Sequence, residues 1–514
     1  MRWLFKGCFI CMFHFAAYAQ KENNQWVISW YGPIAYHSLV EFNSPPPDTS
    51  TLISPARFFL TIASICDSSG QLLFYSNGHT VYNRQHDTLW NGAGINPGWL
   101  TNYYTPQNGM GVPQGALVFP RPGYSGQYLL FYVSGEWCPV GSTTEVQPVK
   151  LAYSIIDMSL DGGLGGIVPG KKDLIAYYDT LIYGRLTAVK HGNGRDWWVI
   201  AHKSNTNIYN KLLVTPDTMI LYQQQIGRPH TRELVYQQSA FSPVGDKFVM
   251  GITIDSIVWN GGMIAEANNV IDLYDFDRCT GLLSNVRYIE IPDKERLAAG
   301  CSFSPDGRWL YVSNWTKIYQ YDTWAANINS TRLLVAERDT GNLTFQGDNL
   351  FYSHLLAPDG KIYITNLQTA ANLHVINEPN HQGIACNVTQ QGLKVPVVNT
   401  FVLPNAVNYS LGPVAGSACD TLLSVTISEI ERTSISVSPN PATSQITLQY
   451  SPPKTTGHAT IYNVLGEAVY QLTLPPNTTR QQLSIAHLPA GIYLIMVEAD
   501  GKSGVKRFVR LAGR

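Results

Sequence analysis

Three groups of residues in this 514-residue chain have types and spacings that could do chemistry. The first is Asp272-Leu-Tyr-Asp275-Phe-Asp277. On an extended strand Asp275 and Asp277 share a face, which suits a calcium ion or a carboxylate pair. The commoner use of such acids is to satisfy turns and backbone N–H groups. The second group is His79, His86, His191, His202 and His354, each from a different segment. A fold that drew them to one axis would make a metal or glycan site; otherwise they are structural or solvated. The third is the stretch from Trp90 to Gly115, which sets Trp90, Trp99, Tyr103 and Tyr104 among Asn, Gly and Pro, with Trp137 following Gly135 and Glu136. Exposed rings stack on the C–H face of a sugar while Asn and Gln bind its hydroxyls, and stiff aromatics lose little entropy in doing so. These five aromatics are the candidate ligand-binding residues, and packing of the loop on itself is the alternative. Catalytic signatures are otherwise broken. Gly123-Tyr-Ser-Gly-Gln127 lacks the second glycine of a nucleophile elbow. Asp161-Gly-Gly-Leu-Gly-Gly opens no helix and reads as a turn. No catalytic residue, metal or cofactor is assigned.

The elements that must position these residues are strands. Runs such as Leu72–Tyr75, Tyr128–Val133, Trp197–Ala201, Phe248–Gly251, Trp309–Ser313 and Lys361–Thr365 are rich in Val, Ile, Tyr, Phe and Trp. Gly, Pro, Asn and Asp punctuate them, and no long stretch keeps a helical period. A repeat recurs at offsets of 62 and 53 residues: Phe241-Ser-Pro-Val-Gly, Phe303-Ser-Pro-Asp-Gly and Leu356-Ala-Pro-Asp-Gly. Pro presets φ in such a turn and Gly takes the positive φ, which gives a tight hairpin. Further units fall near Gly70–Tyr82, Ala116–Val133 and Leu186–Ala201. Strand-only repeats of this period predict an all-β fold, a β-propeller of roughly seven blades over residues 20–425, with an array of β-sandwiches as the alternative.

Composition narrows the partners. Only 14% of residues are charged, so the polar surface comes mainly from uncharged side chains that suit glycans. From Ser434 onward seven Lys and Arg face three Asp and Glu, a net charge of +4. The body over residues 20–433 carries 26 basic and 33 acidic residues, a net charge of −7. An acidic body lacks the basic stripe that nucleic acid requires. Arg2 and Lys6, the apolar run Gly7 to Ala17 and the small-x-small Ala17-Tyr18-Ala19 predict a secretory signal peptide over residues 1–19. That run is too short to span a bilayer, so the mature chain has no expected transmembrane segment. Cys66, Cys138, Cys279, Cys301, Cys386 and Cys419 remain after cleavage, either as disulfides in an oxidising compartment or as buried thiols.

Two resemblances follow from the motifs. Phe303-Ser-Pro-Asp-Gly-Arg-Trp-Leu-Tyr-Val resembles YVTN- and WD-type propeller repeats. With Leu72-Leu-Phe-Tyr-Ser-Asn-Gly, Leu273-Tyr-Asp-Phe-Asp and Val375-Ile-Asn-Glu-Pro-Asn, most of residues 25–410 resembles secreted Bacteroidetes propellers. The C-terminal segment, 435–514, resembles the type A sorting domain of the type IX secretion system. That likeness rests on Pro439-Asn440-Pro441, on Asn463-Val-Leu-Gly466, on Gly491-Ile-Tyr493 and on the basic strand Lys506-Arg507-Phe-Val-Arg. It implies a small Ig-like β-sandwich after a linker at 426–434. It also implies handling by the type IX machinery and an address at the cell surface or outside the cell. The expected function is a non-catalytic surface propeller that binds a glycan, such as surface lipopolysaccharide, or a protein. The rivals are a glycan hydrolase or lyase with its site in the propeller funnel, and a structural part of the surface layer or gliding apparatus.

Overall fold

The computed structural model describes residues 21–29, 35–140, 143–230, 237–260, 263–292, 300–341, 349–366, 370–399, 401, 403–420, 435–463, 467–500 and 502–511. The expected signal peptide and linker, and Gly466, lie outside them. The chain divides into two compact units, Met1–Thr421 and Leu422–Arg514.

In the first unit the described strands form seven antiparallel sheets in chain order. Each is a meander, and successive sheets pack face to face. Blade 1 (Gln25–Ile28, Tyr36–Glu41, Asp48–Ile53) shares a core with blade 2 (Ala63–Cys66, Leu72–Ser76, Val81–Asn83) through Val27, Leu52 and Tyr75. Blade 3 begins at Ala116–Pro120 and blade 4 at Thr187–Lys190; both join the core of blade 2 through Phe74, Phe119, Phe131 and Trp197. Blade 4 meets blade 5 (inner strand Ser239–Phe241) through Trp198, Tyr209, Phe248 and Tyr274. Blade 5 meets blade 6 (inner strand Cys301–Phe303) through Val249, Leu273 and Leu310. Blade 6 meets blade 7 (inner strand His354–Leu356) through Trp309, Tyr311, Ile362 and Ile364. Blade 7 returns to blade 1 through Tyr363, Leu373, Trp26 and Val40. The ring therefore closes, and the fold is a seven-bladed β-propeller.

The three Pro-x-Gly turns do what their sequence requires. Gly245, Gly307 and Gly360 hold φ of 76°, 72° and 78°. In blade 6, Ser304 N bonds Trp309 O and Gly307 N bonds Ser304 O, each at 2.8 Å, which locks the inner strand to the next.

A strap that strand patterning could not announce follows blade 7. Asn405 N donates to Ile62 O, and its buried carboxamide donates to Ala116 O and Leu186 O, both at 2.9 Å. Gln114 donates to Asn405 Oδ1 and to Ser239 O, while Tyr409 OH donates to Val118 O. One segment thus ties the axial edges of blades 2, 3, 4 and 5. The strap ends at a disulfide between Cys419 and Cys279 in blade 5. Cys66, Cys301 and Cys386 are buried free thiols, and Cys138 is a partly exposed one.

The second unit is a sandwich of a three-stranded sheet (Ile435–Ser438, Gln445–Tyr450, Arg480–Ser484) and a four-stranded sheet (Ala468–Leu474, Gly457–Tyr462, Gly491–Ala499, Lys502–Arg510). Alternation along each strand buries Ile446, Leu448, Ile461, Ile495, Val497 and Phe508 between the sheets. Asn440 explains its motif: its amide donates to Arg507 O at 3.0 Å and its Oδ1 accepts from Val509 N at 2.9 Å. That side chain pairs the free edge of the last strand as a backbone would. Pro439 and Pro441 flank it, Tyr493 is buried with its hydroxyl on Pro489 O, and Lys506 and Arg507 are exposed.

Candidate functional site

Blade 3 is the irregular blade, and it carries the aromatic candidates. Its second and third strands, Gln127–Val140 and Thr143–Asp157, pair as far as Val140 and Thr143, whereas the inner strand stops at Ala116 opposite Tyr132. The hairpin therefore projects past the blade, with a bulge between Ser134 and Gly135. The segment read as a loop contains a ten-residue helix, Trp99–Asn108, packed on that hairpin. Its local sequence gave no amphipathic signal; the hairpin supplies what holds it. Glu136 accepts from Trp99 N at 3.1 Å, which places a carboxylate at the helix N-terminus where the dipole favours it. The same carboxylate would lie 2.5 Å from a Cβ at position 98, so Gly98 is there for close approach. Asn96 donates to Val133 O, and Lys150 donates to Pro97 O, fixing the approach to the helix.

This arrangement assembles three of the five candidates. Trp99 and Tyr103, one helical turn apart, stack at 4.8 Å and 17°. Trp137 meets Trp99 edge-on at 4.4 Å. Trp99 is half-buried against the core, while Tyr103 is 66% and Trp137 47% exposed. The result is an anchored aromatic platform with two open ring surfaces. Tyr104 lies on the same helix, and its side chain is outside what the structure describes. Trp90 is not part of the platform. It bridges Gly166, which pairs with Asp157 near the opposite end of the hairpin, roughly 30 Å along the strand from Trp137. Glu136, which positions the platform, was not singled out in the sequence; its place beside Trp137 was the available signal.

The other candidates have structural work. Asp272 is fully buried and accepts from Arg228 Nε and His230 Nε2 at 3.0 Å each and from Tyr274 OH at 3.2 Å. Asp275 is paired with Arg287 and Asn285. Asp277 lies beyond the strand end and caps a turn through Cys279 N and Thr280 Oγ1. The expected shared face of Asp275 and Asp277 is therefore not formed, because the strand stops at Phe276. The histidines do not converge either. His202 stacks on His230 at 4.2 Å, His191 bonds Cys279 O, His79 bonds Thr80, and His354 bonds Ser313. His86 lies 3.4 Å from the Tyr75 hydroxyl. Among the described residues no cluster of three His, Cys, Asp or Glu is placed to hold a metal. No described helix is long and apolar enough to cross a membrane.

A cavity of about 610 Å³ lies on the axis, lined by the inner strands of blades 4 to 7 and by strap residues Leu403–Ser410. Its described lining contains no Asp or Glu, so the carboxylate pair that a funnel glycosidase would need is missing from it.

Residues 436–510 match the family described as secretion system C-terminal sorting domain. This domain marks proteins exported by type IX secretion, and the chain is accordingly carried to the cell surface or the extracellular space. No curated protein matches the chain. Among solved structures, it is similar to a Bacteroides uniformis protein provisionally described as a 6-phosphogluconolactonase. That match has 16% identity and a TM-score of 0.43, and covers 75% of this chain and 100% of that one. A Lactobacillus plantarum protein matches at 12% identity and a TM-score of 0.42, with 74% and 99% covered. The β-propeller domain of Myceliophteria thermophila Cps50 (Swd1) matches at 8% and 0.37, with 67% and 94% covered. Likenesses this loose carry no functional argument, and the propeller rests on the seven sheets and their closure.

Proposed function

We propose that this exported propeller is a non-catalytic binding protein of the cell surface, which holds a glycan or an extended polypeptide on the blade 3 platform. The observation that supports this reading is the Trp99–Tyr103–Trp137 cluster, with its rings partly open to solvent on a buttressed hairpin. Exposed large aromatics are costly to leave unpartnered, and a rigid scaffold carrying them is a common form of binding site. Among the described side chains the platform's carboxylate is Glu136, and it is committed to the helix N-terminus. Stacking and hydrogen bonding to a neutral ligand are what remain available there.

The test uses the mature full-length chain on a glycan array and in pulldown from cell-envelope fractions. Retention of a polysaccharide or envelope component is expected, and Trp137→Ala and Tyr103→Ala should each weaken it about threefold to tenfold, the worth of one aromatic contact. Retention unchanged in both variants, or no retained ligand at all, would refute the platform as a binding site.

A further inference from the structure

We infer that the axial cavity is a second binding site, for a small uncharged polyhydroxylated ligand of mono- or disaccharide size. The cavity's volume of about 610 Å³ falls within the range of small-molecule sites, roughly 300–1,000 Å³. Its wall mixes ring and amide chemistry: Phe42, Phe241 and Tyr352 with Gln238, Ser353 and Asn408. Apart from Lys21 and His354, no described lining residue is titratable in the physiological range. Burial holds His354 near a pKa of about 3, so its ring is neutral. Selection against cations follows, because a cation entering this cavity would lose hydration with no carboxylate in the described lining to meet it and with Lys21 to repel it.

The wall also has hydrogen-bonding capacity to spare. Ser353 Oγ accepts from Gln238 Nε2 at 2.9 Å and keeps its own proton to give. His354 Nε2 faces Ser313 Oγ at 3.0 Å, while its Nδ1 is buried without a partner. A hydroxylated ligand can accept the Ser353 proton, whereas His354 Nδ1 is closed to the cavity. Access is from the face carrying the Pro-x-Gly turns, since Pro243, Pro305 and Pro358 all line the cavity. The strap reaches that same face, where Asn408 Nδ2 donates to Pro243 O, and Ala406 also lines the cavity.

The experiment is saturation-transfer NMR and calorimetry on the mature chain with glucose, galactose, N-acetylglucosamine, maltose and cellobiose. Glucosamine serves as the cationic counterpart. At least one neutral sugar is expected to bind, with glucosamine at least tenfold weaker. Ala406→Trp, which fills the cavity from the strap, should abolish binding. If that variant fails to fold, Ser410→Trp at an exposed lining position should weaken binding tenfold. Trp137→Ala should leave this affinity unchanged, which separates the cavity from the blade 3 platform. The inference is overturned if no neutral sugar binds, if glucosamine binds equally well, or if binding survives in folded cavity-filled protein.

Discussion

Histidine burial gives the body a defined response to acid. His37, His354 and His374 are fully or almost fully buried, and loss of hydration lowers their pKa values to about 4, 3 and 3 from 6.5. Each folded value lies below the unfolded one, so the unfolded chain takes up protons first as pH falls. The stability they confer is whole above about pH 6.5 and is lost progressively down to about pH 4 for His37 and about pH 3 for His354 and His374, at up to about 1.4 kcal/mol per pH unit for each histidine. Urea unfolding midpoints measured from pH 7.5 to 4.5 should fall steadily, and His374→Gln should flatten the slope. A midpoint independent of pH over that window would contradict these burials. The residue scale was only partly legible in the sequence. Trp99, Tyr103 and Trp137 were identifiable by type and setting, but that they touch depends on a hairpin pairing register, which composition does not reveal. Asp272 read as a ligand candidate because a sequence cannot show that Arg228 and His230 already occupy it.

At the scale of elements the sequence was more informative where turn chemistry was strict. The Pro-x-Gly units identified three blades because only glycine holds φ near 75° at low cost. Gly307→Ala tests this directly. A Cβ there would find its nearest neighbours at 3.9 Å, so the cost is backbone strain alone, about 1–2 kcal/mol in chemical denaturation. The strap was invisible because Leu403-Pro-Asn-Ala-Val-Asn-Tyr has neither strand alternation nor helical period; its role is written in hydrogen bonds to other blades. Asn405→Ala strands the carbonyls of Ala116 and Leu186 and the Gln114 amide, and should cost about 3 kcal/mol. Replacing both Cys279 and Cys419 by Ser removes a link across 140 residues and should cost about 2–4 kcal/mol. Limited chymotrypsin digestion of that double variant should cut the strap at Tyr409 or Leu411 before any blade is cut; a digest identical to the parent would contradict the pinning.

For the whole molecule, the period of the repeat predicted a ring of roughly seven, and the ring has seven blades. Blade 1 carries no recognisable turn motif, and its place is fixed instead by packing against blade 7, where Ser38 Oγ and Val397 exchange hydrogen bonds at 3.0 Å. The sorting domain was the most legible part, since its motifs are short contiguous runs, even though Asn440 pairs with a strand 67 residues further along the chain. Deleting residues 436–510 should leave a folded propeller in the periplasm, as measured by fractionation and surface immunoblotting. Normal appearance outside the cell would refute the assigned route.

The position of the strap has a consequence for synthesis. A ribosome makes the blades first, residues 403–420 next and the address after them. Any chain cut short before residue 403 lacks both the strap that ties blades 2 to 5 and the label that would send it out. Unfinished product is therefore retained by the order of translation itself, with no separate inspection step.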